Sequence, residues 1–66
     1  MIDFLLSAYS LESGCVQFPI SCLSEQDAFD FCESYFRRAF CSSLMLFRYY
    51  ERQGERVLAP IFTLGL

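Results

Sequence analysis

Apolar and polar side chains alternate near both ends of this chain and form a helical stripe in its middle. Ile2, Phe4, Leu6 and Ala8 share one parity; Asp3, Leu5, Ser7 and Tyr9 share the other. Successive strand residues point to opposite faces, so this period of two predicts a first β-strand over Ile2–Ser10. Glu12-Ser13-Gly14 supplies turn chemistry, with Gly14 free to take positive φ. A second strand is expected over Cys15–Ser21.

The middle of the chain changes period. Ala28, Cys32, Tyr35, Phe36 and Ala39 fall on one stripe at 3.6-residue spacing, widened by Phe29, Phe31 and Phe40. This predicts a helix over Glu25–Phe40. Ser24 suits the N-cap, and Asp27 three residues on approximates a capping box. Glu25, Asp27 and Asp30 lie toward the positive end of the helix dipole, Arg37 and Arg38 toward the negative end. Glu33 and Arg37 are spaced for an i,i+4 ion pair. Ser42-Ser43 ends the helix. A third strand follows over Leu44–Glu51, then a Gln53-Gly54 hairpin turn and a fourth strand over Arg56–Leu64.

Two prolines set the expected topology. Pro19 and Pro60 have no N–H to give a neighbouring strand, which places each of the second and fourth strands at a sheet edge or at a bulge, and both are read as edges. The first and third strands are then central neighbours. The predicted fold is α+β: a four-stranded antiparallel sheet in ββαββ order, strands 2-1-3-4, with one helix on one face. Sixty-six residues make a single domain, 1–66, with a thin stability margin.

Composition narrows the chemistry. The chain has no His and no Lys, and its net charge is −3. No Ser/His/Asp set and no glycine-rich phosphate loop can be assembled, so neither a catalytic residue nor a cofactor is expected. Cys15, Cys22, Cys32 and Cys41 lack zinc-knuckle spacing and are read as free, buried thiols rather than metal ligands. Cys41, beside Arg37 and Arg38, is a poor nucleophile because a helix C-terminus opposes a thiolate. The acidic balance disfavours nucleic acid. No apolar run is long enough to span a bilayer. Asp3 stands where a signal peptide wants a base, so a cytoplasmic protein is expected.

What stands out is surplus apolar surface. One helix layer covers one face of a four-stranded sheet. Here both faces look apolar. Leu44 and Leu46 oppose Met45, Phe47 and Tyr49 on the third strand; Val57, Ala59 and Ile61 oppose Leu58, Phe62 and Leu64 on the fourth. Monomers rarely expose so large a patch, so a protein partner or self-association as a homodimer is expected. Candidate contact residues are Tyr9, Phe47, Tyr49 and Tyr50 as aromatic anchors, Arg48 and Arg52 beside them, and Asp27 and Asp30 as an outward carboxylate run. Arg48, Tyr50 and Arg52 share a parity that could instead stack and pair with single-stranded nucleic acid.

With one hairpin over Ile2–Ser21, a helix over Ser24–Phe40 and a second hairpin over Leu44–Leu64, the layout resembles certain small phage-encoded anti-defence proteins, including some anti-CRISPR proteins. The resemblance is one of architecture and carries no motif. It implies a non-enzymatic inhibitor from a phage or mobile element that sterically blocks a host complex. The alternatives are a homodimeric structural or regulatory module and a single-strand binder.

Overall fold

The structure is a computed structural model that describes residues 1–65. Five elements follow in the expected order: β1 (Ile2–Ser10), β2 (Gly14–Cys22), α1 (Glu25–Arg38), β3 (Ser43–Arg52) and β4 (Glu55–Leu64). The strands form one sheet in the order β2-β1-β3-β4 with every adjacent pair antiparallel. Pro19 and Pro60 do lie on the two outer strands.

The core lies between α1 and one sheet face. Phe4, Leu6 and Ala8 of β1, Leu44 and Leu46 of β3, and Ala28 and Cys32 of α1 are buried together. The helix reaches both sheet edges through aromatic pairs. Phe29 stacks on Phe62 of β4 at 4.6 Å between ring centroids, and Tyr35 meets Phe18 of β2 edge-on at 5.4 Å. Such pairs contribute about 0.5–1.5 kcal/mol each beyond their buried area.

Both ends of α1 are capped locally. The Ser24 hydroxyl accepts the Asp27 N–H at 3.1 Å. At the other end the helix stops at Arg38, two residues short of the expected Phe40. There the Ala39 N–H donates to the Tyr35 carbonyl at 2.9 Å and the Cys41 N–H to the Phe36 carbonyl at 3.2 Å. Phe40 takes φ +52° to close this turn, a place normally filled by glycine. Its ring is thereby turned out of the core and is 84% exposed. The Glu33–Arg37 ion pair does not form either: the Arg37 side chain donates to the Glu33 backbone carbonyl at 3.4 Å.

The turn joining β3 and β4 has positive φ at both Gln53 (+52°) and Gly54 (+80°), the geometry of a two-residue type I′ hairpin. One irregularity alters the parity of β4. Leu46 pairs with Phe62, but Phe47 pairs with Pro60, leaving Ile61 as an extra residue at a bulge. Phe62 and Leu64 therefore oppose Leu46 and Leu44 and pack against the core, together with Ile61. The expected grouping of Ile61 against Phe62 and Leu64 is thus corrected.

Two substitutions test this account. Leu46→Ala should lower the unfolding free energy by about 2–5 kcal/mol through a core cavity. Phe40→Gly should raise it by roughly 1 kcal/mol through relief of the left-handed strain. Urea titration followed by far-UV circular dichroism reads both.

Candidate functional site: the open sheet face and the β3–β4 arm

Strand register assigns the face away from the helix. Leu5 pairs with Pro19 on one side and Phe47 on the other, and Phe47 pairs with Pro60. These four residues form an apolar row across all four strands. Met45 and Tyr49 flank Phe47 along β3, and Leu58 pairs with Tyr49. Nothing among the described residues covers this face. Leu5, Met45, Phe47 and Tyr49 are only half-buried, while Tyr9, Pro19, Leu58 and Pro60 are exposed.

Polar groups border the row on both sides and satisfy one another. On one side the Ser21 hydroxyl and the Arg56 guanidinium both donate to the Asp3 carboxylate at 2.8 Å. On the other, the Gln17 amide donates to the Ser7 hydroxyl at 3.4 Å, which lies 4.0 Å from the Cys15 sulfur. The hydrogen bonds from Ser21 and Arg56 hold the Asp3 carboxyl below the usual aspartate range.

The second feature is an arm. β1 pairs with β3 only from Phe4–Arg48 to Tyr9–Ser43, whereas β3 and β4 stay paired out to Arg52–Glu55. Tyr49–Arg52 and Glu55–Leu58 thus form a two-stranded extension beyond the sheet, and every residue from Tyr50 to Leu58 is exposed. The molecule is correspondingly elongated, 39 × 21 × 18 Å. The root of the arm is tied down on both faces in the same way. On the helix side, Arg48 pairs with Glu25 at 2.5 Å, with its guanidinium 5.1 Å from the Tyr50 ring centre. On the open side, Arg56 pairs with Asp3, with its guanidinium 4.1 Å from the Tyr49 ring centre.

Tyr50, Arg52, Val57 and Ala59 line a cleft of about 360 Å³ on the helix side of the arm. The arm therefore bears apolar side chains on both faces, Tyr50 and Val57 on one and Tyr49 and Leu58 on the other. At the far end of the molecule a smaller exposed pair, Leu11 and Phe40, borders a shallow cavity.

The candidate contact residues divide among three surfaces. Tyr9, Phe47 and Tyr49 lie on the open face; Arg48, Tyr50 and Arg52 lie on the helix side of β3; Asp27 and Asp30 lie exposed on α1, across the sheet from the open face. One flat partner could not touch them all. Tyr49 and Tyr50 meet only at the arm. Arg48 is engaged by Glu25, and Asp30 accepts the Gln26 side-chain amide at 3.1 Å. Val57 and Leu58 were missed as site residues because an alternating run looks the same whether or not a third strand covers it.

The four cysteines are free, but only Cys32 is buried and Cys15 is exposed. Burial, then Cys22 and Glu33, push the Cys32 thiol up to about 11. Burial and Asp27 also raise Cys22. Both therefore stay protonated thiols near neutral pH. No cluster of three or more His, Cys, Asp or Glu that could hold a metal occurs among the described residues. No described helix is long and apolar enough to cross a membrane.

No protein-family model matches this chain, and searches of curated proteins and of solved structures return no match either.

The Asp3 cluster makes a pH prediction. A carboxylate whose pKa is depressed by folding contributes stability that is fully present above its unfolded pKa. That contribution is lost as pH falls through the lower folded value. Carbon-detected NMR should show Asp3 titrating below the unfolded ~3.9, and Arg56→Gln or Ser21→Ala should move the midpoint upward.

Proposed function

We propose that this chain is a small protein-binding module that acts without catalysis, by covering a surface of its partner with the β3–β4 arm. The observation that carries the reading is the arm itself: two strands exposed from Tyr50 to Leu58, with Tyr50 and Val57 on one face and Tyr49 and Leu58 on the other beside a charged tip. A lone hairpin is at best marginally stable in water and gains from burial against something else. Tyr and Arg are the residue types that dominate binding hot spots, and Tyr49, Tyr50, Arg48, Arg52 and Arg56 cluster here.

Its chemistry suits a protein partner better than a nucleic acid. Arg48 and Arg56 are already paired with carboxylates, and Glu51 and Glu55 stand opposite Arg56 and Arg52 in the strand register. Little free positive charge is left to meet phosphates. The likeness of layout to phage anti-defence inhibitors makes a host defence complex the first partner to try. Occupying one of its surfaces is the mode of action proposed.

The test is binding by arm variants. Immobilised wild-type chain should retain a defined complex from a host lysate. Tyr50→Ala should weaken that binding by more than about 1 kcal/mol, roughly fivefold in Kd, with an unchanged circular dichroism spectrum. Equal retention by Tyr50→Ala and Val57→Asp would eliminate the arm as the contact.

A further inference from the structure

The open face is a different surface from the cleft on the arm and needs an occupant of its own. We propose that two copies of this chain pack face to face through it, with the Pro19–Leu5–Phe47–Pro60 row at the centre of the seam. This inference goes beyond the arm reading, since none of those four residues lines the cleft.

Area supports a second copy. Four strands about 4.8 Å apart, each about nine residues long at about 3.3 Å per residue, give a footprint of roughly 570 Å². Two such faces bury roughly 1,100 Å², above the ~1,000 Å² that a specific interface needs. Within that footprint the apolar row, with Met45, Tyr49 and Leu58 beside it, is left uncovered by the helix.

The pattern of the face is also self-complementary. Place a two-fold axis between two such sheets, parallel to the strands and midway between β1 and β3. It exchanges the halves of the row, setting Leu5 of one copy against Phe47 of the other, and Pro19 against Pro60. This is the isologous arrangement closed dimers use, with sheets about 10 Å apart as in a sandwich. The bordering polar groups do not oppose it. Asp3 is already paired with Ser21 and Arg56, and Ser7 with Gln17, so these groups can be covered while keeping their partners.

Sedimentation equilibrium over a concentration series tests the proposal on the full chain. At about 1 mM, where an interface at the weak, small end of the specific range is populated, the mass should approach twice the 7.7 kDa of one chain. Phe47→Glu should return it to 7.7 kDa with an unchanged circular dichroism spectrum. Pro60→Arg, at an exposed edge position, should do the same and carries the test if Phe47→Glu fails to fold. Val57→Asp, in the cleft, should stay dimeric. A wild-type monomer throughout the series would overturn the proposal, as would dimers of undiminished affinity from both face variants. Dissociation by Val57→Asp alone would also overturn it, by placing the seam on the arm. Partner capture by the folded monomeric variant separates this inference from the arm reading, because either can fail without the other.

Discussion

A mismatch of dimensions governs this molecule. The one helix has 14 residues, about 21 Å at 1.5 Å each, while β3 and β4 have 10 residues each, about 33 Å when extended. The helix can shield only one side of the sheet, and only part of its length. The shielded part is the core of Phe4, Leu6, Leu44, Leu46, Ala28 and Cys32. The remainder is the two exposed features: the strand ends that outrun α1, and the side of the sheet that α1 never touches.

Charge compensates where apolar cover stops. Arg48 and Arg56 lie on opposite faces at the base of the arm. Each is fastened to an acid on a different element, Glu25 of α1 and Asp3 of β1, and each overlies a tyrosine. Partly exposed pairs of this kind add little to stability on their own. Their importance lies in placement. They fix the direction in which the arm leaves the sheet, so its aromatic side chains are presented in a defined geometry.

The fold was largely legible in the residues because its strongest cues are local. Proline chemistry at 19 and 60 named the outer strands, Gln53-Gly54 named the hairpin, and Ser24 named the start of the helix. What escaped were events that depend on neighbours. The bulge at Ile61 reverses the parity of half of β4, and only pairing with β3 reveals it. Phe40 fits the apolar stripe, yet terminates the helix in a left-handed conformation. Sequence spacing grouped Arg48, Tyr50 and Arg52 correctly on one side. It could not show that Arg48 would be held by Glu25, 23 positions away. Nor could it show that β1 pairs with β3 only as far as Arg48, which is what leaves Tyr50, Val57 and Leu58 in water.

The two prolines have a consequence beyond strand order. A free strand edge is a template for hydrogen bonding to any extended chain that drifts past, and greasy sheets are prone to fibrous growth by that route. Here each outer strand lacks a donor near its midpoint. Lateral addition of strand upon strand is therefore interrupted on both flanks. A chain this rich in phenylalanine is steered toward discrete, finite particles and away from amyloid-like ribbons.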